Sequence, residues 1–193
     1  MHKKLLLVSL VINVLLAGAL LVALASAPTL KEAELKYDDG VGTGSTTSQG
    51  PGWGYSVHFS PPTFPFTIVK VRVFAMLRTG YVLDTTSVEI WDKDFKVLYS
   101  GTKPATEFSP KPDWVTIDIP NVTVDGDFRV VFFTNGGNLQ AGGVAIGFDL
   151  TGNKASEVAK SGGTIAEWPA PMQATRPKEK TNWMIRVVGT TGG

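Results

Sequence analysis

Trp53-Gly54-Tyr55-Ser56-Val57-His58-Phe59 alternates large apolar residues with small or polar ones without a break. A period of two sets Trp53, Tyr55, Val57 and Phe59 on one face of a β-strand and Gly54, Ser56 and His58 on the other. The pattern recurs on both sides of this stretch. Upstream, Ala33, Leu35 and Tyr37 alternate with Glu32, Glu34 and Lys36. Downstream, residues 68–77 form a long strand, with Val69, Val71 and Val73 opposite Lys70 and Arg72. Val88 and Ile90 alternate with Ser87 and Glu89, and Asp92-Lys93-Asp94 turns the chain back into residues 95–99. Val115, Ile117 and Ile119 follow, then Val144, Ile146 and Phe148, and finally Trp183, Ile185 and Val187. Phe128 to Phe133 is apolar on both faces, which predicts a central strand covered on both sides.

About nine strands separated by Pro, Gly, Asn and Asp clusters, with no helical period sustained over three turns, predict an all-β chain. Short connections and one wet face per strand predict an antiparallel two-sheet sandwich, jelly-roll-like in topology. Such a sandwich brings its first and last strands together, so residues 32–37 and 183–188 are expected to pair or lie close. Two stretches lack the pattern. Residues 40–52 are rich in Gly, Ser and Thr. Residues 151–181 are long and irregular, with one helical turn expected over 155–160. Long irregular loops either carry function or cover a sheet.

The first 27 residues read differently. Lys3 and Lys4 precede an apolar run from Leu5 to Ala25, and Ala23-Leu24-Ala25 and Ala25-Ser26-Ala27 offer small-x-small cleavage sites. These are the parts of an export signal. The run of 21 residues is also long enough to span a bilayer. Residues 1–27 are therefore expected to be a signal peptide, or a membrane anchor through Leu5–Ala25 if uncleaved. Residues 28–193 are expected to form one β-sandwich domain, secreted or held at the cell surface.

Charge and cysteine narrow the function. Removing Lys3 and Lys4 leaves 16 basic residues against 17 acidic, a balance that gives no basic stripe for nucleic acid. The chain has no cysteine, which excludes disulfides and a lipidated-cysteine anchor. A domain of this length can build an adequate core without them. His58 is the one histidine after the leader, no G-x-S-x-G elbow is present, and there is no Cys/His cluster for zinc. The expectation is a protein that is not an enzyme.

Tyr37-Asp38-Asp39-Gly40, then residues 52–62, a Val-rich strand and Trp183-Met184-Ile185-Arg186 carry a resemblance. Over roughly residues 30–190 the chain resembles the jelly-roll accessory domains of secreted bacterial and archaeal proteases and glycosidases. The resemblance implies binding of calcium, carbohydrate or a neighbouring protein surface, and rarely catalysis.

Four candidate features follow from the residues. Asp38 and Asp39, beside the flexible Gly40, and Asp149 at the end of a later strand could meet at one rim and ligate Ca²⁺ through oxygen. The alternative is that Asp38 and Asp39 cap a turn through their own backbone. Trp91, on the Ser87/Glu89 side of its strand, and Trp168, next to Pro169, are candidates to stack a sugar ring; the alternative is burial in the core. Trp53, Trp114 and Trp183 read as core or rim packing. Asn121-Val122-Thr123 is an N-glycosylation sequon at a turn after Pro120. Edge strands of a sandwich can accept a strand from a neighbour. The expected function is an exported binding module for a cell-surface glycan or protein, with a structural calcium. The alternative is a homo-oligomeric subunit of an extracellular filament or surface layer.

Overall fold

The computed structural model describes residues 30–47, 50, 52–78, 85–134, 143–152, 155–167 and 180–191. The leader, residues 1–27, and Trp168 lie outside the described residues. The described chain is all-β, with one turn of 3₁₀ helix at Ala105–Glu107. The strands are β1 (Lys31–Leu35), β2 (Gly44–Thr46), β3 (Trp53–Phe59), β4 (Phe66–Arg78), β5 (Thr85–Asp92), β6 (Val97–Pro104) and β7 (Asp113–Val124). They continue as β8 (Phe128–Phe133), β9 (Gly143–Asp149), β10 (Ser156–Lys160), β11 (Thr164–Ala166), β12 (Asn182–Trp183) and β13 (Ile185–Thr191).

Two antiparallel sheets form the expected sandwich. The first sheet runs β1-β13-β4-β9-β12, with β2 beside β9 and β7 beside β4. The second runs β11-β10-β3-β8-β5-β6. Their facing sides interdigitate. Phe66, Ile68, Val71 and Val73 of β4 meet Tyr55, Val57 and Phe59 of β3 and Phe128, Val130 and Phe132 of β8 in one core. Trp183 ties the sheets together. Its ring packs 4.5 Å from Tyr55, and its indole N–H donates to the carbonyl of Glu157 at 2.8 Å.

The first and last strands do pair, as the alternation at both ends requires: β1 lies beside β13. The last strand also forks the first sheet. Met184 donates its N–H to the Gly147 carbonyl of β9 at 3.1 Å and accepts from the Phe74 N–H of β4 at 3.0 Å. β12 then pairs with β9, and β13 with β4.

Two expectations are corrected. The helical turn at 155–160 is instead β10, which pairs with β3 over Ser156–Val57 to Lys160–Trp53. Val158 faces the core there and Ala159 the far side, so both faces are apolar and a period of two is hard to read. The extra strands beyond nine are mostly short ones, β2, β11 and β12, of two or three residues each.

β8 is central, as its unbroken apolar run predicts, between β3 and β5. Its inward residues join the main core. Its outward residues Val131 and Phe133 form a second cluster with Trp91, Ala159 and Ile165. Two turns meet over this outer face. Gly163, between β10 and β11, has φ 79° and lies so near the turn after β5 that a Cβ there would come within 2.6 Å of the Phe95 carbonyl oxygen. Only glycine fits both that backbone and that approach.

Candidate functional site

Trp91 lies inside this second cluster. It is 0% exposed, and its indole N–H donates to Glu89 Oε2 at 2.7 Å. The expectation that Trp91 presents a face to a sugar is therefore overturned. Alternation placed it correctly on the outer side of its strand, but that side is roofed by the turns that meet at Gly163 and Phe95. Arg129, on the same face, lies 4.5 Å from the Phe95 ring centroid and forms a bidentate pair with Glu157.

The three aspartates come together, but as acceptors of protein hydrogen bonds. Asp38 is buried and accepts from Arg186 Nε at 3.1 Å on both oxygens, and from the Gly40 N–H at 3.0 Å. The Asp38 hydrogen bond is the main cause of the Arg186 guanidinium being held more basic than usual. Asp39 accepts from the Val41 N–H at 2.8 Å, an Asx turn, and donates its own N–H to Asp149 Oδ2 at 3.2 Å. Asp149, 1% exposed, accepts at Oδ1 from the Thr151 N–H, the Thr151 hydroxyl and Asn182 Nδ2 at 3.0, 2.7 and 2.7 Å. A calcium ion needs 6–8 oxygens with open lone pairs. Here donors and a guanidinium charge face those oxygens, so the set does not fit calcium. No cluster of three acidic, histidine or cysteine side chains among the described residues is arranged to hold a metal.

His58 Nε2 lies 3.2 Å from Asp127 Oδ2, and both side chains are partly exposed. Among the described residues no hydroxyl hydrogen-bonds to His58.

The outer face of the first sheet carries a cleft. Phe74, Met76 and Arg78 alternate outward from β4, each half-buried. Phe74 and Met76, together with Pro112, wall a cavity of about 200 Å³. Ala145 and Gly147 of β9 line its floor, and Gly42 and Ser45 line its opposite side. The floor is small because the wall needs it to be: a Cβ at Gly147 would sit 2.5 Å from the Phe74 ring. At the rim, Arg78 Nη2 donates to the carbonyl and hydroxyl oxygens of Ser45 at 3.2 and 3.1 Å. Beyond Phe74, at 5.5 Å, lies Trp114, with the guanidinium carbons of Arg186 and Arg72 4.2 and 5.3 Å from its ring centroid.

The arginines differ in one respect. Arg72 holds Glu34 at 2.8 Å, Arg129 holds Glu157 at 2.8 Å, and Arg186 holds Asp38. Arg78 forms no ion pair with any described carboxylate. Its guanidinium donates to Ser45 near an aromatic wall, a combination that suits an oxygen-rich ligand.

Sequence reading missed this cleft. Phe74 and Met76 sit within an apolar strand, and Gly42, Ser45 and Gly147 look like turn and strand filler until folding brings them together. The signal that was present is the pair of outward positions Phe74 and Met76 following Lys70 and Arg72 on one face.

The fold is similar to that of Cwp84, a surface layer associated cysteine protease of Clostridium difficile. Against the protease after propeptide cleavage the TM-score is 0.56 at 10% identity, over 83% of this chain and 40% of that one. Against its protease and lectin-like domains the TM-score is 0.54 at 10% identity, over 86% of this chain and 37% of that one. The chain thus spans about 40% of the length of these structures. A xylan-binding module, CBM15, overlaps at a TM-score of 0.37 and 14% identity, over 70% of this chain and 98% of that one. No protein-family model and no curated protein matches the sequence. The resemblance to accessory β-sandwich domains holds at the level of the fold.

Proposed function

We propose that this domain is a binding module, not an enzyme, and that the Phe74 cleft takes one sugar residue of a surface glycan. The observation that carries the reading is the cavity with Phe74 as its wall and Arg78, which forms no ion pair among the described residues, bonded to Ser45 of its lining. Ring C–H groups of a sugar would lie against Phe74 and Met76, while Arg78 and Ser45 would meet its hydroxyl or carboxylate oxygens. A cavity of about 200 Å³ is below the usual size for drug-like ligands, which suits one ring of a longer chain crossing the sheet.

Glycan-array screening followed by calorimetry tests the reading. The parent protein is expected to retain a polysaccharide, and Phe74→Ala and Arg78→Ala are each expected to weaken it at least tenfold without loss of fold. Retention unchanged in both variants, or no glycan bound by the parent, would overturn it. Comparing neutral with uronate-containing polysaccharides shows whether Arg78 reads a carboxylate or a hydroxyl.

A further inference from the structure

The sequon at 121–123 lies away from the cleft, and the structure gives it a setting that the motif alone does not. β7 pairs with β4 and has no second strand partner among the described residues, so its other side is a sheet edge. The ladder slips along it. Lys70 is opposite Asp118 and Ile68 is opposite Val122, so β7 takes four steps where β4 takes two. The surplus forms a bulge at Ile119, Pro120 and Asn121. Ile119 stays in the core, Pro120 brings no N–H to the edge, and Asn121 is exposed with φ 40°. Val122 packs against the core, while Thr123 is exposed like Asn121. The acceptor amide and the threonine that the sequon requires are therefore both exposed, on a strand with no second strand partner among the described residues.

We infer that Asn121 carries an N-linked glycan. The donor is a polyprenyl-diphosphate-linked oligosaccharide on the far side of the membrane, and the step relies on residues 1–27 taking the chain across. The Asn121 amide nitrogen attacks the anomeric carbon, and a C–N bond forms. The anomeric C–O bond to phosphate breaks, and the lipid diphosphate leaves with the bonding pair. The amide gives up one proton, and nothing is oxidised or reduced. In the finished fold Thr123 is opposite Thr67 in the ladder, and their hydroxyl oxygens are 3.0 Å apart. Once attached, the glycan stands over the bulge and obstructs any strand that would add to this edge.

The test is intact mass and peptide mapping of the full chain purified from the cells that make it, with Asn121→Gln, Thr123→Ala and Thr123→Ser made in the same cells. The parent and Thr123→Ser are expected to carry the mass of one glycan on the peptide containing Asn121, and the other two variants none. Thr123→Ala leaves the bulge residue in place, so its result stands even if Asn121→Gln folds poorly. A parent mass equal to the bare polypeptide overturns the inference, as does a mass excess that persists in Thr123→Ala and Asn121→Gln. The outcome is independent of whether the Phe74 cleft binds sugar.

Discussion

Arg186 closes on Asp38 across 148 residues of sequence, with its Nε 3.1 Å from each carboxylate oxygen. The pair joins the last strand to the loop after the first, and both residues are buried. Trp114 lies on the other side of the guanidinium at 4.2 Å, and Glu34 approaches Nη1 at 3.7 Å.

Removing Asp38 leaves the buried Arg186 with only the longer Glu34 contact at 3.7 Å, at a cost of about 3–5 kcal/mol. Asp38→Ala is therefore expected to lower unfolding free energy by that amount in urea titrations. The double variant Asp38→Leu with Arg186→Met is expected to recover most of it. A loss under about 1 kcal/mol in the single variant would show the pair to be incidental.

Gly147→Ala tests the floor of the cleft. The added methyl meets the Phe74 ring and carbonyl oxygen at 2.5 and 3.2 Å, so the ring must move. Overpacking of this kind costs about 1–3 kcal/mol. The expected result is a lower Tm together with a weaker glycan complex. Unchanged affinity would mean that Phe74 does not set the ligand surface.

Trp91 is expected to act on stability alone. Trp91→Ala empties part of the second cluster and costs about 3–5 kcal/mol. Trp91→Phe keeps much of the packing and loses the hydrogen bond to Glu89, a smaller penalty of about 0.5–3 kcal/mol. Glycan affinity of folded Trp91→Phe should match the parent. A selective loss of affinity at unchanged stability would return Trp91 to the binding surface.

Chelation is expected to leave the melting curve unchanged. The oxygens of Asp38, Asp39 and Asp149 already accept from Arg186, Thr151, Asn182 and backbone N–H groups. Scanning calorimetry with and without EGTA checks this. A fall in Tm on chelation that Asp149→Asn abolishes would show that these carboxylates do hold a cation.

The sandwich was legible because large apolar residues alternate with small or polar ones whether or not the second face is wet. β3, β4 and β5 show it, and at β13 Ile185 and Val187 flank Arg186, so pairing of the two ends followed from the same pattern. It failed at β10, where Val158 and Ala159 are both buried against opposite neighbours. It misjudged Trp91 for a related reason. Period two assigns a side of the sheet, but whether that side is wet depends on distant turns, here those at Phe95 and Gly163. The aspartates were correctly grouped and wrongly employed. Their spacing shows carboxylates near a turn, whereas their use is set by Arg186 and Asn182, more than thirty residues away from the carboxylates they hold. The cleft had no local signature, because its wall, floor and opposite side come from β4, β9 and the stretch around β2.

β13 occupies an interior place in the first sheet, between β1 and β4, although it is the last described strand to leave the ribosome. Until it arrives, β1 has no neighbour in that sheet, and the fork between β4 and β9 has no Met184 to bridge it. A nascent chain halted anywhere before Ile185 can form hairpins of the second sheet but cannot close the first. The first sheet thus closes only once residues 185–191 have emerged. Ribosome-stalled intermediates of increasing length should stay protease-sensitive until the final strand is free, and then become resistant in a single step.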